Sequence, residues 1–120
     1  MSLDVPSGYI PKHDRKTYKT AVFDASASGN LVAASTTGKV IKLHYAYIQA
    51  QGTVVVNLNN GSGGASLMES SFQAREGVST AFAPAPAFLA ITSVNTALYV
   101  TLSAAVVVTI TAIYSDDDAN

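Results

Sequence analysis

The segment 96–114, TALYVTLSAAVVVTITAIY, contains no acidic or basic side chain, no histidine and no cysteine in nineteen residues. Apolar side chains alternate with small or polar ones over 98–102, and a second alternation runs over 106–113. A period of two is that of a β-strand, whose successive side chains point to opposite faces of a sheet. Val, Ile and Thr fill most positions and lose side-chain freedom in a helix. We therefore predict two strands of a hairpin.

Upstream segments follow the same alternation. Residues 39–50 and 53–59 are predicted to be strands, with Gln51-Gly52 as the hairpin turn between them. For the first of these strands, the alternation predicts one face made of Ile41, Leu43, Tyr45 and Tyr47 and another made of Lys42, His44 and Ala46. The glycine-rich run 59–64 predicts a turn, and shorter strands are expected at 18–24, at 30–34, from Gly77 onward and at 88–92.

Eight or nine short strands and no convincing helix predict an all-β fold. A chain of 120 residues is the size of one domain, and turns at intervals of roughly 8 to 12 residues favour a single antiparallel β-sandwich of jelly-roll type. The predicted organisation is an extended N-terminal arm over 1–17, the sandwich domain over 18–115 and an acidic C-terminal tail over 116–120.

The second face of the predicted 98–113 hairpin is unusually dry. A sheet face in water normally carries charged or strongly polar side chains, whereas this face is expected to present Tyr99, Val107, Thr109, Thr111 and Ile113. Because charged residues make up only 12% of the chain, against about 25% in ordinary domains, we expect these five residues to form a homo-oligomer interface. A loop of the same chain covering this face is the alternative.

Charge is concentrated at the two ends of the chain. Residues 1–20 carry a net charge of +2, residues 21–115 are neutral, and the last five residues carry −3. The predicted partner contacts are the four cations of the first segment, which are Lys12, Arg15, Lys16 and Lys19. This basic stretch is expected to dock on an acidic protein surface rather than on nucleic acid. Asp116, Asp117 and Asp118 are expected to form a frayed, solvated tail.

No motif in the sequence supplies catalytic or metal-binding chemistry. The chain has no cysteine and two histidines, His13 and His44, which are expected to be solvated or hydrogen-bonded because a metal site needs three or four convergent ligands. Serines are plentiful, but no nucleophile-elbow motif occurs among them. We predict no catalytic residue, no cofactor and no metal, and hence a protein that is not an enzyme. The apolar runs are also too short to span a membrane.

The order of these segments resembles the small β-sandwich structural proteins of tailed bacteriophages and prophages. The likeness covers residues 38–114: GKVIKLHYAYIQAQGTVVVNLNNGSGG, an apolar stretch from Gly77, and ALYVTLSAAVVVTITAIY. It implies a virion structural protein, assembled in the bacterial cytoplasm, that forms a homotrimer. Its implied partner is the major capsid protein or another virion protein, and its implied place is the capsid surface or a tail or fibre attachment. The charged arm, which is longer than the family pattern, favours docking on a capsid.

A ligand-binding module is the alternative function. β-Sandwiches of this type often bind carbohydrate, so the chain could recognise a receptor at the tip of a tail or head fibre. Sugar sites usually stack the sugar ring on exposed aromatic side chains. The chain has no Trp, and the best candidates for such a platform are Tyr9, Tyr18 and Tyr99.

Overall fold

The computed structural model describes residues 18–118, and its architecture confirms the all-β sandwich. Nine strands form within this range, and no helix does. The strands are β1 (Lys19–Ala25), β2 (Gly29–Val32), β3 (Lys39–Ala50), β4 (Val54–Asn60), β5 (Ser66–Phe72), β6 (Gly77–Ser79), β7 (Ala90–Ile91), β8 (Leu98–Leu102) and β9 (Val108–Asp118). The predicted arm over 1–17 lies outside the described residues. No helix within them is long and apolar enough to cross a membrane.

The strands form two antiparallel sheets. The five-stranded sheet has the order β1-β9-β3-β6, and β7 also pairs with β3; the four-stranded sheet has the order β2-β8-β4-β5. Strands β3 and β9 are the longest and pair from Lys39–Asp118 to Ala50–Val108. They form the centre of the five-stranded sheet.

Two of the predicted hairpins are wrong. β8 and β9 lie in different sheets, and so do β3 and β4, so the segments 103–107 and 51–53 are connections across the sandwich rather than hairpin turns. Six of the eight connections change sheet in this way. The alternation of a strand shows which of its faces is apolar and packs against the opposite sheet. It does not show whether the next strand in the chain pairs beside it or lies in the opposite sheet.

The glycine-rich turn at 59–64 is confirmed as the tip of the β4–β5 hairpin. Gly61 has a φ of +80° and Gly63 a φ of +74°, a region that glycine adopts without steric cost. A Cβ at Gly61 would also lie 2.9 Å from the side chain of Thr96. Both its conformation and its surroundings therefore require glycine.

The core lies between the two sheets and is made of their inward side chains. On the five-stranded sheet, Leu43, Ile110 and Ala112 are fully buried, and they face Leu58 and Val100 from the four-stranded sheet. Burial of large aliphatic side chains contributes about 1.5–3 kcal/mol each. This packing holds the two sheets together, and the chain has no cysteine that could add a disulfide.

The alternation predicted for β3 is correct up to Leu43 and then reverses. The pairing of β3 with β9 shifts register between Leu43 and Tyr45, because His44 is an extra residue at that point, as in a β-bulge. Beyond it Ala46 is fully buried, whereas Tyr45 and Tyr47 face away from the core. The prediction that both tyrosines share a face with Ile41 is therefore wrong.

Candidate association surface on the five-stranded sheet

The outer faces of the two sheets, meaning the sides turned away from the core, differ in chemistry. Nine large hydrophobic side chains of the described residues are exposed, and none of them belongs to a strand of the four-stranded sheet. That sheet presents polar side chains such as Asn57, Asn59 and Thr101 instead. Asn59 accepts a hydrogen bond from the Thr101 hydroxyl at 2.6 Å. The two faces are therefore suited to different surroundings.

Strand pairing places outward residues of the five-stranded sheet in rows that cross it. One row consists of Val22, Thr111, Tyr47 and Ser79, each directly paired with the next. Val22 is 66% exposed and Tyr47 is 39% exposed. The Tyr47 ring can extend across β6 because residue 77 is glycine: a Cβ there would lie 2.9 Å from the Tyr47 hydroxyl.

Neighbouring rows continue this surface on both sides. Thr109 pairs with Asp24 and Gln49, while Ile113 pairs with Thr20 and Tyr45. Thr111 is exposed, and Thr109 and Ile113 are half-buried. These three predicted interface residues thus lie side by side on the outer face, on the central strand β9.

The other two predicted interface residues lie elsewhere. Tyr99 belongs to β8 and pairs with Asn30 and Asn59 on the outer face of the four-stranded sheet. Val107 lies in the connection that precedes β9, and it is 42% exposed. The five residues therefore do not form one surface, because the hairpin that would have joined them does not exist.

Part of the outer face is covered by the segment 80–89, but the predicted interface around Thr111 is not. Its backbone bonds to β3 at three points: Thr80 N to Ala46 O at 2.9 Å, Ala83 N to His44 O at 2.9 Å and Leu89 N to Leu43 O at 2.7 Å. All three carbonyl oxygens that accept these bonds belong to β3 residues before Tyr47. The segment therefore covers the end of the sheet around His44, while Val22, Thr111 and Tyr47 remain at the surface.

His44 is the polar centre of this covered region. Its Nδ1 lies 2.8 Å from the Ala83 carbonyl oxygen, and its Nε2 lies 2.8 Å from the Ser115 hydroxyl. A carbonyl only accepts, so Nδ1 carries a proton, and in the neutral imidazole Nε2 accepts from Ser115. The Tyr18 ring packs edge-on at 5.1 Å, and Phe82 packs against both rings. The prediction that His44 is a hydrogen-bonded histidine is confirmed; His13 lies outside the described residues.

A serine hydroxyl that donates a hydrogen bond to a histidine is also the arrangement found in nucleophilic catalysis. Here the side chains of His44 and Ser115 are both fully buried, and Ala83 and Phe82 lie against the imidazole. A substrate therefore has no access to the Ser115 hydroxyl in this arrangement. The contacts make the pair a clamp between β3, β9 and the covering segment.

The three consecutive aspartates at the end of β9 each pair with a lysine. The Lys19 ammonium lies 3.0 Å from Asp116, and this pair is the first of the three. The other two pairs are Lys42–Asp117 at 3.3 Å and Lys39–Asp118 at 3.0 Å. The prediction of a frayed tail is therefore wrong for 116–118, which are strand residues paired with β3. Residues 119 and 120 lie outside the described part.

Lys19 is the one predicted partner-contact residue that the structure describes. A hydrogen bond and the charge of Asp116 raise the pKa of Lys19 above its usual 10.5. The ammonium is thus already engaged within the chain. Lys12, Arg15 and Lys16 lie outside the described residues, as does Tyr9.

A shallow groove of about 390 Å³ lies where the two sheets end at β5 and β6. It is lined by Ser70, Ser71, Phe72, Glu76, Gly77 and Val78. Its one titratable group is Glu76, whose carboxylate accepts the Gln73 backbone N–H at 2.6 Å. In residues 18–118 no three His, Cys, Asp or Glu side chains are grouped to hold a metal ion. The groove offers no assembled catalytic or metal-binding groups.

Sequence reasoning missed Val22, Tyr47 and Phe82 as surface residues. The signal for Tyr47 was hidden by the bulge at His44, since a single extra residue exchanges the two faces of all that follows. Phe82 lies in the covering segment, whose position depends on distant contacts with β3.

Comparison with protein-family models, with curated protein sequences and with solved structures gives no match. The function of this chain must therefore be inferred from its own surfaces.

Proposed function

We propose that this chain is a non-enzymatic structural protein of a tailed-phage virion, a homotrimer that binds the capsid surface and reinforces it. The observation that carries the proposal is the segregation of exposed hydrophobic side chains: all nine lie outside the strands of the four-stranded sheet. A contiguous exposed apolar surface is typical of proteins that bind other proteins.

The chemistry of the described residues also supports a binding role. The buried Ser115–His44 pair is closed to substrates, and the groove between β5 and β6 carries a single carboxylate. The strand order, with most connections crossing from one sheet to the other, supports the jelly-roll type of sandwich that the number of strands and the spacing of the turns predict, and the virion resemblance implies a small β-sandwich. A cement protein needs a stable scaffold and adhesive surfaces, and no reaction.

The two described tyrosines of the carbohydrate-binding alternative, Tyr18 and Tyr99, do not form one platform. Tyr18 packs against His44 near the five-stranded sheet, whereas Tyr99 lies on the four-stranded sheet. A sugar ring stacks on aromatic faces that lie within one site, so this separation favours the structural role.

The N-terminal cations are proposed to attach the protein to its shell. Because Lys19 is paired with Asp116, attachment is assigned chiefly to Lys12, Arg15 and Lys16. These three positive charges would meet acidic groups on the capsid, and their contribution would fall as salt screens them.

The proposal is tested on particles from cells that produce the phage together with a tagged copy of this chain. The tag is expected on purified virions, on the capsid surface in electron micrographs. Replacing Lys12, Arg15 and Lys16 by Gln is expected to lower its occupancy, while the control Lys19→Gln leaves occupancy near that of the wild type. Virions that never carry the tag, while the soluble fraction holds folded protein, would contradict the structural role.

A further inference from the structure

The exposed part of the outer face of the five-stranded sheet is centred on Val22, Thr111 and Tyr47. These residues lie in one row on three adjacent strands, so their side chains are direct neighbours. The covering segment bonds to β3 only at residues before Tyr47, and it leaves this row at the surface. The Phe82 ring, beside Tyr18 at 5.4 Å, extends the apolar surface next to it.

The apolar area of this side matches what one partner contributes to a stable interface. Its six exposed large hydrophobic residues, each between 37% and 66% exposed, are Tyr18, Val22, Tyr47, Phe82, Phe88 and Ile91. Aromatic side chains offer about 150–250 Å² each and four of the six residues are aromatic, so the exposed parts of the six amount to roughly 500 Å². A standard interface buries about 800 Å² per partner, of which roughly 450 Å² is apolar. The surface is therefore large enough to hold a protein partner.

The charges on this side favour a second copy as that partner. Among the described strand residues, those that bring charge here are Asp24, Lys42 and Asp117, and the last two form an ion pair with each other. A nearly neutral face can pack on another copy of the same chain without placing like charges together. A strongly acidic or basic partner would find almost no complementary charge.

We propose that the outer face of the five-stranded sheet, centred on Val22, Thr111 and Tyr47, binds a second copy of this chain. The proposal rests on the structural role above and identifies the surface through which the protein assembles. The outer face of the four-stranded sheet, which includes Tyr99, stays in solvent. Val107 does not contribute to the central contact.

The experiment is sedimentation velocity on the full chain at micromolar concentrations. The wild type is expected to sediment as an oligomer, and Thr111→Arg is expected to raise the dissociation constant at least about 100-fold, because it buries an unpaired charge in the contact. Thr101→Arg is the matched control: the same substitution at an exposed threonine on the four-stranded sheet leaves the oligomer intact. Circular dichroism and the melting temperature verify that each variant is folded.

Three outcomes overturn this inference: a monomeric wild type, a Thr111→Arg variant that stays oligomeric, or dissociation caused by Thr101→Arg instead. If Thr111→Arg does not fold, Val22→Glu at the 66% exposed neighbour makes the same test. A wild type that is monomeric alone yet present on virions overturns the inference and leaves the structural role standing. An oligomer dispersed by Thr111→Arg supports the inference even where no virion carries the protein.

Discussion

The two outer faces of the sandwich are built on strands of the same alternating kind, yet they expose different side chains. On the five-stranded sheet, Val22 and Tyr47 flank Thr111; on the four-stranded sheet, Asn57 and Asn59 lie opposite Thr101 and Tyr99. The amides find partners within their own sheet, such as the Thr101 hydroxyl. An alternating pattern thus indicates which face of a strand is buried in the core. The residue types on the other face indicate what that face contacts.

The inner faces of the two sheets should not differ in this way, because both pack into one core. The substitutions with the largest expected effects test whether the core is shared. Ile110→Ala on the five-stranded sheet and Leu58→Ala on the four-stranded sheet each remove a fully buried aliphatic side chain. Each is expected to lower the free energy of unfolding by about 2–5 kcal/mol, since a cavity remains. Denaturant titration measures both. A cost below about 1 kcal/mol for either variant would mean that the two sheets do not share one core.

The buried polar groups of the two outer faces sharpen the comparison. His44→Ala removes two hydrogen bonds and the ring that Tyr18 and Phe82 contact, so we expect a loss of about 2–4 kcal/mol. Amide hydrogen exchange over 80–89 should become faster, because this segment loses its contacts with the His44 side chain and keeps only its backbone bonds to β3.

The control for this prediction is Asn59→Ala on the four-stranded sheet. Asn59 is also buried and bonds to Thr101 and to the Gly64 carbonyl. Its removal should cost about 1–2 kcal/mol and leave exchange over 80–89 unchanged. Equal exchange in the two variants would contradict the role of His44 as a clamp.

The smallest expected effect concerns the ion pair between β1 and β9 at the end of the five-stranded sheet. The pKa of Lys19 is raised above 10.5 by Asp116, so the folded state binds this proton more tightly than the unfolded state. The stabilisation that this ion pair contributes is fully present below pH 10.5, the usual pKa of lysine. It is lost as the pH rises from there through the higher pKa that Lys19 has in the folded state.

The measurement is the melting temperature of the wild type against Lys19→Met from neutral to alkaline pH. At neutral pH the wild type should melt at a slightly higher temperature than the variant, and this difference should shrink above pH 10.5. The difference should also shrink in high salt, because the pair is exposed. An advantage that grows with pH in that range would show that Lys19 contributes in another way.

The positions of the strands other than β5 were predictable from sequence because alternation is a local property, and β5 lacks a clean alternation of buried and exposed residues. All the predicted strand segments correspond to strands of the structure, and β3 has the predicted bounds of 39–50. The pairing of strands was not predictable in the same way. The connection 103–107 is compatible with a hairpin or with a crossing between sheets, and the choice depends on how the whole core packs.

The candidate surface was predictable only in part, for the same reason. Thr109, Thr111 and Ile113 follow directly from the alternation of β9, but their neighbours come from β1 and β3, far away in the chain. The aspartates at 116–118 looked like a tail because their lysines are distant: Lys19 and Asp116 are 97 positions apart. Charge counts along a sequence do not reveal which charges meet.

The most direct test of the central claim, that this chain assembles through its five-stranded sheet, is hydroxyl-radical footprinting of two tyrosines. Tyr47 and Tyr99 lie on opposite outer faces of the sandwich, and each can be followed by mass spectrometry in dilute and concentrated wild-type protein. We predict that the labelling of Tyr47 falls on assembly while that of Tyr99 stays constant. Protection of Tyr99, with Tyr47 labelled equally at both concentrations, would contradict the account.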